Sequence, residues 1–183
     1  LGLGATLVSV LRSSRQVVIP LWAEQLGIAP ATAALIYGFA AAIDMTVFYP
    51  AGRIMDLHGR VWVAVPCALL MGLALMTMPL TTGLASFVAV TLLLGFGNGI
   101  GSGIIMTLGA DASPRSGRTQ FLGIWRMLSD IGSSSGPVLL SAITAVASLA
   151  AGMVTIGALG LVAAAVFWRW VPPKAPKPPA PRA

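Results

Sequence analysis

Five charged side chains interrupt the long apolar stretches of this sequence: Arg12, Arg15, Asp44, Arg126 and Asp130. Charge in such surroundings is costly and is usually kept for a function. Arg12 and Arg15 are three residues apart and share a face if their segment is helical. Arg126 and Asp130, four apart, do the same. Asp44 is expected to face Arg126, or Arg12, across a helix bundle. Asp130 is expected to find Arg126 on its own helix, or Arg12. Two roles are open to these groups. They can be structural ion pairs that fix helix rotation. They can instead line a cavity, where Asp44 or Asp130 takes up and releases a proton and the arginines hold the acids or an anionic substrate. Drying of a cavity disfavours a charged carboxylate, and a nearby guanidinium favours it, so a change of shape can load and unload the proton.

The elements that must position these side chains are membrane helices. The 183 residues are 57% hydrophobic and only 9% charged, with a mean hydropathy of +0.90. A soluble domain carries about 25% charged residues. Six apolar runs are each long enough to cross a bilayer, which takes about 20 residues. They cover roughly Leu1–Trp22, Ala31–Ala51, Val61–Leu80, Leu84–Leu108, Gln120–Ala142 and Ser148–Trp170. The links are short, as between antiparallel neighbours. The runs lack the alternation of barrel strands and are about twice too long for them. At about 1.5 Å per residue, Arg12, Asp44 and Asp130 fall within roughly 5 Å of the midplane, with Arg126 nearer the cytoplasm.

The net charge of +6 comes from short loops and a tail, without the basic face of a nucleic-acid binder. Arg53 and Arg60, then Arg115 and Arg118, then Arg169, Lys174, Lys177 and Arg182 fall on one side; the opposite loops hold Glu24, Thr81 and Thr82. The positive-inside rule places the Gly52–Arg60 segment, Leu1 and the C-terminus in the cytoplasm. The Pro-rich stretch 172–183 is expected to be extended and solvated, with Lys174 and Lys177 near anionic lipid headgroups. Cys67 is the lone cysteine and His58 the lone histidine, so neither a disulfide framework nor a metal site is expected. No phosphate loop or nucleophile motif appears, so neither an enzyme nor a cofactor is expected. The start at Leu1, without Met or a cleavage signal, reads as a piece of something longer.

One polar island carries a spacing of its own: Gly52, Asp56, Gly59 and Arg60 in the order Gly-x-x-x-Asp-x-x-Gly-Arg. Gly52 is expected to let a helix end approach another backbone, and Gly59 to permit a turn. Asp56 is an anion that can face the positive end of a neighbouring helix. The fourth run has Gly95, Gly99 and Gly103 at every fourth position, a row that lets helices close in. The fifth has Gly132, Gly136 and Pro137, where proline removes a backbone hydrogen bond and kinks the helix. Asn98, Gln16 and Ser102 are polar groups inside the runs, for which helix–helix hydrogen bonding is the default and substrate contact the addition.

The Gly52–Arg60 spacing resembles the loop motif of the major facilitator superfamily. Leu57 and Val61 stand where that family usually has basic residues, a degenerate form typical of the second half of its members. Gly132-x-x-x-Gly136-Pro137 is similar to the Gly-Pro element that the family carries on a fifth helix, associated there with antiporters. The resemblance implies an all-α membrane protein, the C-terminal six-helix half of a transporter built from inverted three-helix repeats. It implies a small-molecule substrate, a bilayer, and either a missing N-terminal half or a second copy as partner. The expected activity is proton-coupled export of small organic compounds across a bacterial inner membrane. Sugar or organic-anion uptake by the same fold, and a six-span membrane scaffold without transport, are the alternatives.

Overall fold

The computed structural model describes residues 1–114 and 116–172. The stretch 173–183, and with it most of the expected Pro-rich tail, lies outside the described residues, as does Arg115. The helices are α1 (Gly2–Gln25), α2 (Pro30–His58), α3 (Val61–Thr77), α4 (Leu84–Gly101), α5 (Ile104–Ala112), α6 (Arg118–Val146) and α7 (Leu149–Trp170). A single 3-10 turn, Met78–Leu80, extends α3. Helices α4 and α5 are successive parts of one rod, so the six expected runs become six rods.

Local chemistry sets the ends. Gly27, at φ +70, closes α1, and the Ile28 N–H returns to the Ala23 carbonyl at 2.9 Å. Pro30 opens α2, where a missing N–H is harmless. The Ser148 hydroxyl caps α7 by accepting from the Ala151 N–H at 3.1 Å. Two elements differ from expectation. Helix α2 runs on through the polar island to His58, and only Gly59, at φ +109, makes the turn. Asp56 and Arg53 are therefore helical residues in the last turns of α2. The fourth rod breaks at Ser102–Gly103, where Gly103 takes φ +87, a conformation that glycine adopts without the steric penalty of a side chain.

The packing has an internal symmetry. Helix α3 packs on α7; α1 packs on α6 as α2 packs on α4; α3 meets α4 as α7 meets α1. Exchanging the first three rods with the last three maps this pattern onto itself, the arrangement of inverted three-helix repeats. At the centre α3 and α7 cross closely. A methyl at Gly72 would lie 2.7 Å from the Gly157 carbonyl, and one at Gly160 would lie 2.7 Å from the Gly72 Cα. Around this seam Met71, Leu75, Met153, Ile156 and Phe167 are buried.

Helices α2 and α6 are the least covered. Helix α2 buries only Ala33, Ile36, Ala40, Ala51 and Met55, and α6 only Trp125, Ser129, Gly132, Gly136 and Leu140. Among the described residues four rods are long and apolar enough to cross a membrane by composition alone: α2, α3 with its 3-10 turn, α4 with α5, and α7. The other two, α1 and α6, are those that carry Arg12 and Arg15, and Arg126 and Asp130. Their ionic content lowers their mean hydropathy, while their packing against α7 and each other places them in the same bundle.

Candidate functional site

Asp44 sits where α2 crosses α4. The crossing is tight because α4 presents glycine there: a methyl at Gly99 would lie 2.6 Å from the Asp44 carbonyl, and one at Gly95 would strike the Ala40 carbonyl. This close approach brings Asn98 and Ser102 to the Asp44 carboxylate. The Asn98 amide donates to Oδ2, and the Ser102 hydroxyl donates to Oδ1 at 3.2 Å. From α1, the Arg15 guanidinium approaches Oδ2 at 3.7 Å, with side-chain exposures of 9% for Arg15 and 18% for Asp44. Arg15 also stacks on the Tyr37 ring, 5.6 Å from its centroid. The partner of Asp44 is thus Arg15, rather than the expected Arg126 or Arg12. Helix α6 packs on α1, α5 and α7 rather than on α2, which keeps Arg126 away from Asp44.

Arg12 points elsewhere. Its Nη2 reaches the Asn98 carbonyl at 3.5 Å, and its Nε is buried without a partner. Gly101 gives it room, since a methyl there would come within 2.9 Å of Nη2 and would strike Cys67. The cluster therefore joins Arg12 and Arg15 of α1, Tyr37 and Asp44 of α2, Cys67 of α3, Asn98 of α4, and Ser102 just past the end of α4. It holds two guanidinium groups and one carboxylate.

Asp130 and Arg126 meet on their own helix, at 3.2 Å, with exposures of 61% and 65%. They lie on the open face of α6, apart from the Asp44 cluster. Gly132 and Gly136 behave as contact glycines: a methyl at the first would strike the Thr6 carbonyl, and one at the second would lie 2.7 Å from the Val10 carbonyl. Helix α6 continues without interruption past Pro137 to Val146.

At the cytoplasmic end expected from the charges, Arg60 ties two segments together. Its Nε donates to Asp111 at the end of α5 at 2.9 Å, and its Nη1 donates to Asp56 at 2.8 Å and to the Met55 carbonyl at 3.1 Å. Burial opposes the charge of Arg60, but the hydrogen bonds from Asp111 and Asp56 outweigh it, and its pKa is raised. Arg60 therefore keeps its charge at any pH a cell reaches. The partner of Asp56 is this arginine, rather than a helix end. Gly52 meets nothing within 4 Å, so the expected close backbone approach is not made among the described residues. Across the rod, the Trp125 indole N–H donates to the Ile105 carbonyl at 2.8 Å, and Gly109 leaves space for its ring. These two contacts hold α5 against α6.

Three participants escaped the sequence reading. Tyr37 lies seven residues before Asp44, two turns along the same helical face, and that spacing could have marked it. Trp125 and Cys67 carried no such signal. Among the described residues no group of acidic, cysteine and histidine side chains could hold a metal ion.

A bundle of six helical rods with this internal exchange symmetry, a buried ionic cluster between rods and a charged tie at one end has the build of half a secondary transporter. The family model of the Major Facilitator Superfamily matches residues 1–183, and the chain belongs to that family. It is a multi-pass membrane transporter protein. No curated protein matches the chain.

Proposed function

We propose that this chain moves small organic molecules by alternating access, driven by a proton gradient and in the direction of export. We place it in a bacterial inner membrane, with the Gly52–Arg60 segment and the C-terminus in the cytoplasm. The observation that carries this reading is the company of Asp44. Its carboxylate is held by Arg15 from α1 and by Asn98 and Ser102 from the fourth rod, at the level where α4 gives way to α5. Groups from three rods converge on one acid, so relative motion of the rods changes which of them reach it. A carboxylate that loses a guanidinium and water together is driven to take a proton, and one that regains them releases it.

A second six-helix bundle, from the rest of a longer polypeptide or from a second copy, completes the cavity. The open faces of α2 and α6 and the exposed Arg126–Asp130 pair support this, because a charge facing lipid costs a few kcal/mol. Among carriers of this fold, anion uptake is the competing reading, favoured by the excess of guanidinium over carboxylate in the cluster.

The test is Asp44→Asn in proteoliposomes containing the whole carrier and its substrate. Accumulation driven by a proton gradient should be lost while substrate exchange at equal pH persists. A mutant that still concentrates substrate at the wild-type rate would leave Asp44 a structural residue.

A further inference from the structure

We infer that the inner end of the cleft between α1 and α2 binds an amphipathic organic monoanion, with its carboxylate at Arg12 and its apolar body against Ile19, Pro20, Ala33 and Tyr37. This deepens the transport reading by naming a substrate class, and it does not depend on the coupling ion.

The charge count comes first. Arg15 has Asp44 at 3.7 Å, whereas Arg12 makes no ion pair among the described residues. Arg12 donates to the Asn98 carbonyl at a long 3.5 Å and lies beside the Cys67 sulfur, and the Nε atoms of both arginines are buried and unpartnered. Arg15 itself is 8% exposed. One positive charge is left without a counter-charge at the depth where an unpaired charge is most costly. The sequence places glycine at 101, so the guanidinium keeps its space.

Next to this charge lies a place for the rest of a molecule. The α1–α2 cleft encloses about 780 Å³, and its lining includes Gln16, Ile19, Pro20, Ala33 and Tyr37. That is the size and the mostly apolar character of a small-molecule site. Gln16 stands one turn from Arg12 on α1, and the Tyr37 ring that walls the cleft is the ring on which Arg15 stacks. The arginines do not line the cleft themselves but stand just beyond its Gln16–Tyr37 end. Glu24 lines the cleft too, eight residues or about 12 Å along α1 from Gln16. It repels a carboxylate there and orients an anionic ligand with its head inward. A single excess positive charge matches a monoanion better than a phosphate dianion.

The experiment uses the whole carrier in nanodiscs, with binding followed by thermal stability during titration with benzoate, benzamide, benzylammonium or inorganic phosphate at constant ionic strength. Benzoate should stabilise the wild-type protein saturably, and the neutral amide, the cation and phosphate should do so far less. Arg12→Gln should weaken benzoate binding by roughly tenfold or more, and Arg12→Lys should keep most of it. Asp44→Asn should tighten benzoate binding, because it removes the one negative charge of the cluster, even as it abolishes proton-driven accumulation. That opposite pair of effects separates the two readings. Absence of any benzoate response in the wild type would overturn the assignment. So would equal responses to benzoate and benzamide, a wild-type response in Arg12→Gln, or weaker binding in Asp44→Asn. If Arg12→Gln does not fold, the Asp44→Asn titration and the wild-type ligand series decide alone.

Discussion

The Ser102 hydroxyl donates to Asp44 at 3.2 Å from the last residue before the fourth rod breaks. The same backbone that turns at Ser102–Gly103 thus carries a ligand of the buried acid, and α5 beyond the break carries Asp111 to Arg60. A change at Asp44 thus reaches the Arg60 tie through one hydrogen bond and a short stretch of backbone. Ser102→Ala should leave the protein folded and slow proton-driven transport, since Asp44 loses a hydrogen-bond donor. Proton-driven transport in proteoliposomes checks this, and a wild-type rate would remove Ser102 from the coupling.

The glycines of the α2–α4 crossing are predicted to be unequal to Gly52. Gly99→Ala puts a methyl 2.6 Å from the Asp44 carbonyl, so α2 and α4 must separate. The expected loss is about 1–3 kcal/mol, together with impaired transport, since Asn98 retreats from Asp44. Gly52→Ala meets nothing within 4 Å and should be neutral or stabilising by up to about 1 kcal/mol. Thermal unfolding of the two variants in the same detergent measures the contrast.

The Arg60 tie should appear as coupling between residues rather than as a large single effect. Asp111 is one-third exposed and Asp56 more than two-thirds, so solvent screens both. A double-mutant cycle with Arg60→Gln and Asp111→Asn should give about 0.5–1 kcal/mol. Additive losses would mean that the two side chains act independently.

Cysteines placed at Gly52 and Asp56 should change their rate of alkylation when substrate is added, if the proposed second bundle covers this end of α2 in one state of the cycle. Equal rates with and without substrate would favour a static scaffold.

Trp125→Phe keeps the ring beside Gly109 but deletes the donor to the Ile105 carbonyl. A loss of about 0.5–1.5 kcal/mol is expected, and hydrogen exchange in α5 should rise with it. Exchange unchanged in α5 would mean that the ring packing alone holds the segment.

The rods were legible in the sequence because uninterrupted apolar length is a strong signal, and the contact glycines because their spacing of four matches the helix repeat. The end of α2 was less legible. Polar residues from Gly52 to His58 read as a loop, yet nothing in Arg53-Ile54-Met55-Asp56 forbids a helix, and the turn waits for Gly59. Five glycines between 95 and 103 gave no reason to prefer a break at Gly103; the left-handed backbone there is a tertiary outcome. The pairing of Asp44 with Arg15 was hidden for a similar reason. Arg12 and Arg15 share a face only loosely, and the rotation of α1 against α2 and α4 decides which one the acid meets. Arg126 with Asp130 needed only the repeat of a single helix and was visible at once.

The seam of Gly72, Gly157 and Gly160 lies on the axis about which the two sets of three rods exchange. An axis is the locus that such an exchange leaves in place. Helices α3 and α7 are therefore the pair of rods that the two repeats share, joined backbone to backbone at that axis. A bulkier residue in that seam should therefore loosen both repeats at once.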